Sequence, residues 1–77
     1  MGESVIDFNL LEKIIAKVTQ YKDKIPLSDL KGLISGYQAR NEYQVTYHLF
    51  EIVRALVKQE VYDLELYDLV EKAVILE

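Results

Sequence analysis

Any histidine-dependent catalysis or pH switch would depend on His48, because it is the only histidine in a 77-residue chain that has no cysteine. Glu51 follows three residues later, so a helix would place both side chains on one face. A metal site needs three or four ligands, and helical bundles commonly provide two Glu-x-x-His motifs, whereas this chain has one His-x-x-Glu. The spacing therefore predicts no metal site, and a His48 partly exposed on the surface of a helix.

The serines offer no better candidates for nucleophilic catalysis. Ser4, Ser28 and Ser35 fall at predicted helix starts or inside helices. None is next to His48 in sequence, and none lies in the strand-turn-helix elbow that exposes a catalytic serine. The chain also has no glycine-rich phosphate-binding loop. We therefore predict that the protein is not an enzyme and binds no cofactor.

Tyrosine is unusually frequent, with six in the chain. Tyr43 and Tyr47 are one helical turn apart, and Arg54 falls on the same shoulder of the predicted third helix, at the edge of its apolar stripe. Tyrosine and arginine are enriched at the energetic centres of protein interfaces, because each has a broad apolar body and a hydrogen-bonding tip. A single such ring also suits the margin of an ordinary core. As a group, Tyr43, Tyr47 and Arg54 predict a protein interface.

The negative charge of the chain is concentrated at its C-terminal end. Residues 1–59 contain eight Lys/Arg and seven Asp/Glu, whereas residues 60–77 contain one Lys and six Asp/Glu, which together give the net charge of −4. Glu65, Asp68 and Glu71 recur every three residues on one side of the predicted last helix. Such acids suit either a solvated outer face or a docking ridge for a basic partner.

Nucleic-acid binding is disfavoured, because the nine Lys/Arg residues are dispersed rather than clustered. The polar turn 38–41 between the second and third helices does suit a helix-turn-helix motif. Its recognition helix would begin with Asn41, Glu42, Tyr43 and Gln44, with only one arginine nearby and one acid. A DNA-binding helix-turn-helix regulator therefore remains only a less favoured hypothesis.

Apolar periodicity predicts four helices, since 26 of the 77 residues are Leu, Ile or Val and only three are glycine. The first helix would be capped by Ser4 or Asp7, the second by Ser28, and the third by Asn41. Pro26 ends the loop between the first two helices.

The third helix would carry an apolar stripe made of Val45, Leu49, Phe50, Ile52, Val53, Leu56 and Val57. No glycine or proline separates this stripe from that of the fourth helix, but at about 100° per residue the two stripes point in different directions. We therefore expect a break at residues 60–63, with Asp63 as N-cap and Tyr62 packed on Tyr67. A continuous helix of about 35 residues, supported by a dimer, is the alternative.

The predicted fold is an all-α, up-and-down four-helix bundle; the alternative is three helices with a long continuous C-terminal helix. The expected core contains Leu11, Ile15, Val18, Leu30, Ile34, Leu49, Ile52, Val53, Leu56, Leu66, Val70 and Val74. Apolar residues make up 51% of this short chain, and small domains have proportionally little interior. We therefore expect part of the apolar surface to be buried in a homodimer.

Neither a signal peptide nor a membrane-spanning stretch is present, and the lack of cysteine gives no indication of an oxidising compartment. These features predict a cytoplasmic protein. Residues 1–77 are expected to form one domain. Met1-Gly2 and Leu76-Glu77 resemble residues left by cloning, which would make residues 3–75 the natural segment.

Two hypotheses about function follow. The favoured one is a non-catalytic protein–protein interaction module that self-associates, with an unidentified protein as any further partner. The alternative is a small acidic regulator or inhibitor, similar in kind to an immunity protein or antitoxin, acting on a macromolecular partner through its last helix.

Overall fold

The computed structural model describes residues 4–76, with side chains for residues 6–74. In this part of the chain there are four α-helices, a short 3₁₀ turn and two short strands. In chain order they are β1 (Ser4–Ile6), α1 (Phe8–Thr19), the 3₁₀ turn (Lys22–Lys24), α2 (Leu27–Ala39), α3 (Glu42–Lys58), α4 (Leu64–Ala73) and β2 (Val74–Leu76). The predicted small all-α bundle of four helices is therefore confirmed. The prediction about Met1, Gly2 and Glu77 lies outside the described residues.

Three of the four helices begin at a side-chain cap. Asp7, Asn41 and Asp63 precede α1, α3 and α4, and each accepts a hydrogen bond from a backbone N–H of the first helical turn at 3.0–3.1 Å. A cap of this kind satisfies a donor that would otherwise lack a partner. The predicted caps Asp7, Asn41 and Asp63 are therefore confirmed.

The start of α2 differs from the prediction, because Ser28 lies inside the helix instead of capping it. The N-cap is Pro26, whose φ of −62° suits a helix start, and its carbonyl oxygen accepts from the backbone N–H groups of Asp29 and Leu30. Proline fixes the φ angle at the start of α2, so no capping side chain is needed there.

The predicted break between α3 and α4 is also confirmed. The left-handed backbone of Glu60, with φ of 59°, turns the chain after α3. The N–H of Val61 donates to the carbonyl of Leu56 at 2.9 Å, which satisfies one of the last carbonyls of α3. Tyr67 donates its hydroxyl hydrogen bond to Val61, while Tyr62 is 64% exposed. The alternative of one long C-terminal helix is wrong.

α2 packs most closely against α3, α1 packs against α4, and α1 also contacts α2. The resulting core contains the buried apolar residues Ile6, Leu11, Ile14, Val18, Ile25, Leu30, Leu33, Val45, Leu49, Ile52, Leu56, Leu66 and Ala73. Seven of the predicted core residues are among them. The other five, Ile15, Ile34, Val53, Val70 and Val74, are only partly buried.

A two-stranded antiparallel sheet pairs the segment before α1 with the segment after α4 and was not predicted from the sequence. Ser4 pairs with Leu76 and Ile6 with Val74, and the N–H of Asp7 continues the ladder to the carbonyl of Ala73 at 3.0 Å. The sheet holds the start of α1 beside the end of α4. None of the helices in the described residues combines the length and the apolar character needed to span a bilayer.

Candidate protein-interaction surface

The outer face of α3 carries a continuous row of large side chains, which we name the α3 stripe. It consists of Tyr43, Tyr47, Phe50, Arg54 and Val57, spaced alternately four and three residues apart. At 100° per residue these five positions fall within a sector of about 80°. Tyr43 is 85% exposed, Tyr47 56%, and Phe50 and Val57 46% each. The stripe is therefore an apolar surface with a single cation.

The opposite face of α3 is fully buried. Val45, Leu49, Ile52 and Leu56 have no exposed surface and pack against the rest of the bundle. Their mean direction is about 150° from that of the α3 stripe at 100° per residue. A helix at the surface of a globular protein normally has one apolar face and one polar face. α3 has two apolar faces, and the described residues cover only one of them.

Tyr43, Tyr47 and Arg54 were predicted to share one face of the third helix, and the structure places them there. The sequence suggested that they lie at the edge of the buried stripe, but they lie on the opposite, exposed face. Phe50 and Val57, which were assigned to that buried stripe, lie on the exposed face instead. The alternating 4-3 spacing of Tyr43, Tyr47, Phe50, Arg54 and Val57 was visible in the sequence and is the signal that could have identified the complete row.

Half-buried residues of α3 flank the stripe. Thr46 and Val53 lie on one side, and Val53 does not pack on the core. Gln44 and Glu51 lie on the other side, towards α2, and the carboxylate of Glu51 accepts from the Arg54 guanidinium at 3.3 Å. The only charge within the stripe is therefore a guanidinium that keeps most of its surface exposed.

A pair of polar side chains joins α2 to α3 beneath the stripe. His48 Nδ1 is 2.9 Å from Asp29 Oδ1, and both side chains are largely buried. The imidazole lies against Gly32, where a Cβ atom would overlap it, and it meets the Tyr47 ring edge-on with centroids 5.0 Å apart. His48 is partly exposed, as predicted. The pair fixes the rotation of α3 on α2, and hence the direction of the stripe.

The fourth helix displays the predicted acidic residues on its exposed side, but lysines neutralise two of them. Glu65 forms an ion pair with Lys17 of α1, and Asp68 with Lys72 at 3.1 Å. Glu71 is exposed. The ridge therefore presents less net charge than the sequence alone suggests. Within the described residues, no three His, Asp or Glu side chains form a group suitable for a metal ion.

Asp63 connects α4 to α1. One of its carboxylate oxygens caps α4, and the other accepts from the Tyr21 hydroxyl at 2.6 Å and from Lys17 Nζ at 3.5 Å. The hydrogen bond from Tyr21 is the main reason that the pKa of Asp63 is lowered, and the same bond raises the pKa of Tyr21. The pKa of Lys17 is raised mainly by its hydrogen bond to Glu65. These groups stabilise the bundle without taking part in the α3 stripe.

The turn between α2 and α3, considered above as part of a helix-turn-helix motif, has one basic residue. Arg40 has left-handed backbone with φ of 55°, and its guanidinium lies over the Phe8 ring at 4.7 Å. This cation–π contact holds the cation against α1. An arginine that reads DNA would instead extend towards a phosphate or a base edge.

The chain matches no family model, and no curated protein or solved structure is similar to it.

Proposed function

We propose that the protein is a non-catalytic protein-interaction module that self-associates as a homodimer through the α3 stripe. The observation that carries this proposal is the second apolar face of α3, with Tyr43, Tyr47, Phe50 and Val57 exposed in one row. Contiguous exposed apolar patches of this kind mark interaction sites in monomeric folds. Closed twofold pairing is the commonest way in which a chain covers such a patch.

The exposed area supports a dimer of modest affinity. With about 200 Å² for a whole aromatic side chain, the exposed fractions of Tyr43, Tyr47, Phe50 and Val57 amount to roughly 400 Å² per copy. Two copies contribute about 800 Å² of apolar surface, and Arg54 with the flanking Thr46 and Val53 brings the total near the ~1,000 Å² expected of a specific interface. An interface of this size lies at the low end for specific complexes, where weak and transient associations are found.

The test is the solution mass of the parent chain and of a Tyr43→Ala/Tyr47→Ala variant, measured by light scattering across the micromolar concentration range. We expect a dimer for the parent. Since truncation of an interface tyrosine costs about 1–2 kcal/mol and each ring occurs twice in a twofold interface, we expect the double variant to dissociate at least about a hundredfold more readily.

Tyr62→Ala is the matched control, because Tyr62 is a tyrosine of similar exposure in the α3–α4 turn, outside the stripe. It should leave the solution mass unchanged. A parent that stays monomeric throughout the concentration range contradicts the proposal. A dimer that survives the double variant moves the interface to another face, such as the start of α4, where Tyr62 and Leu64 are exposed; Leu66 and Ala73, which the sequence offered for that role, are buried in the core.

A further inference from the structure

The α3 stripe is complementary to a reversed copy of itself. Its spacing of 4-3-4-3 corresponds to alternating d and a positions of a heptad repeat, and in antiparallel helix pairs each a position faces a d position of the partner. We infer that α3 pairs antiparallel with α3 of a second copy, with Tyr43 facing the second copy's Arg54 and Tyr47 facing its Phe50. This inference rests on the proposed function and specifies the geometry of the same surface.

Charge favours the antiparallel orientation. In a parallel pair with the same face buried, the two Arg54 guanidinium groups would oppose each other in one layer of the interface. Like charges placed opposite each other in a desolvated interface are strongly unfavourable. In the antiparallel pair each guanidinium instead lies against a Tyr43 ring, which is the most exposed ring of the stripe at 85%. A cation over an aromatic face is attractive.

The register follows from the length of α3. Facing Tyr43 with Arg54 and Tyr47 with Phe50 engages four of the five stripe residues in each copy, and they span about 16 Å at 1.5 Å per residue. The twofold axis then passes between Tyr47 and Phe50. The next antiparallel register would pair Phe50 with Arg54 and Tyr47 with Val57. That register would also engage four residues, but it would leave Tyr43, the most exposed of the stripe, facing a point beyond Lys58, where α3 ends. The first register leaves only the smaller Val57, which would face a point before the start of the second copy's α3.

The flanks of the stripe agree with the same register. On one side the half-buried Thr46 faces Val53 of the second copy, so an apolar side chain that lies outside the core of its own bundle gains a partner. On the side towards α2, Gln44 faces Glu51 of the second copy, and an amide with a carboxylate brings no like charges together. A parallel pair would instead place Thr46 beside Glu51 and Val53 beside Lys58 of the second copy, so Val53 would gain no apolar partner.

Cysteine cross-linking tests the register cleanly, because the chain has no cysteine of its own. Tyr43→Cys and Arg54→Cys proteins are prepared separately, mixed in equal amounts, and treated with a short bis-maleimide. The linked species are then identified by intact mass. We expect the 43–54 product in excess of the statistical half, with 43–43 and 54–54 products depleted. Lys13→Cys, on an exposed face of α1, measures linking by random collision.

A second pair of variants avoids any loss of the dimer caused by the cysteines themselves. Tyr43→Glu places a carboxylate opposite Arg54 of the second copy, so we expect a dissociation constant within about tenfold of the parent's and stronger binding at low salt. Tyr43→Arg places two guanidinium groups opposite each other, and we expect binding at least about a hundredfold weaker.

The outcomes separate this inference from the proposal on which it rests. A monomeric parent chain overturns the proposed dimer. If the parent is dimeric but the 43–43 and 54–54 products dominate, or if linking stays at the Lys13→Cys level, the dimer stands and the antiparallel register is wrong. Equal weakening by Tyr43→Glu and Tyr43→Arg also overturns the register, because only the facing Arg54 distinguishes the two variants.

Discussion

Replacing Gly32 by alanine tests how closely α2 and α3 pack beneath the stripe. Glycine inside a helix is ordinarily about 1 kcal/mol less favourable than alanine, so this change would stabilise an isolated helix. In this protein the nearest atoms to the added Cβ are three ring atoms of His48, all at overlapping distance. The imidazole has to move if Gly32→Ala is to be accommodated.

The movement of His48 has a cost that exceeds the gain in helix propensity. Its Nδ1 is held 2.9 Å from the Asp29 carboxylate, and losing a hydrogen bond to a charged group costs about 1.5–3 kcal/mol. Subtracting the gain of about 1 kcal/mol leaves a net loss of about 0.5–2 kcal/mol. For a domain of this size, 1 kcal/mol corresponds to a melting temperature about 4–8 °C lower.

The assay is denaturant unfolding followed by the helical circular dichroism signal at a fixed protein concentration, because dimerisation would otherwise change the apparent stability. Gly32→Ala is measured in the parent and in a His48→Ala background, where the methyl group has room and should stabilise by up to about 1 kcal/mol. Gly36→Ala is the control. Its Cβ would meet Val45 at 3.0 Å instead of His48, so its effect should be the same in both backgrounds.

A stabilising Gly32→Ala in the presence of His48 would refute this account. An effect of equal size in both backgrounds would also refute it, because the imidazole would then not be the obstacle.

Two further predictions concern the core and the hydrogen bond between Tyr21 and Asp63. Ile52→Asp buries an unpaired charge at a fully enclosed position, at a cost comparable to the ~5 kcal/mol stability of a small domain. It should therefore abolish the helical circular dichroism signal, whereas Val53→Asp should leave the protein folded. Equal unfolding by both would contradict the assigned core. Because the pKa of Asp63 is lowered, its stabilisation is present above the ordinary carboxyl pKa and is lost as the pH falls through the pKa of the folded protein. Asp63→Asn should therefore lower the free energy of unfolding by about 1–2 kcal/mol at neutral pH and make no difference in strong acid. The raised pKa of Tyr21 has the opposite effect, because its contribution is present below the ordinary tyrosine pKa and is lost as the pH rises. The free energy of unfolding of Tyr21→Phe should therefore fall less steeply in alkali than that of the parent. An unchanged pH dependence of stability, in acid for Asp63→Asn and in alkali for Tyr21→Phe, would contradict the assigned hydrogen bond.

Local signals in the sequence were sufficient for most of the fold. Asn41 and Asp63 were identified as caps because a cap depends on the side chain and the next three residues alone. The break after α3 was found from the change in helical phase, although no glycine or proline marks it. Ser28 was misassigned because Pro26 begins α2 with its fixed φ, which makes a capping side chain unnecessary.

Contacts between distant residues were not predictable in the same way. The Asp29–His48 pair and the Tyr21–Asp63 hydrogen bond join residues 19 and 42 positions apart. The role of Gly32, whose missing side chain makes room for the imidazole of His48, also depends on this packing. The three-residue strands are too short to show any periodicity. Such features depend on which elements meet, and sequence spacing alone does not specify that.

The sequence placed Tyr43, Tyr47 and Arg54 on one face of α3 but misplaced the apolar residues around them. Apolar residues on α3 were all assigned to one buried stripe, which placed Phe50, Val53 and Val57 inside. In a chain this small, a helix with apolar residues on most of its circumference has more apolar surface than the other helices can cover. Its apolar residues should then be assigned to two separate faces. The positions of Tyr43 and Tyr47, taken together with Phe50 and Val57, define the second face.

The distribution of exposed apolar residues explains why this chain is so apolar for its length. Seven large apolar side chains are exposed in the described part of the chain, and three of them, Leu27, Tyr62 and Leu64, are at or just before helix starts. The other four form the α3 stripe. The surplus is therefore concentrated on the one helix whose opposite face already supplies the core. Because the two faces of α3 share no residue, substitutions in the stripe should change association without changing the stability of the monomer.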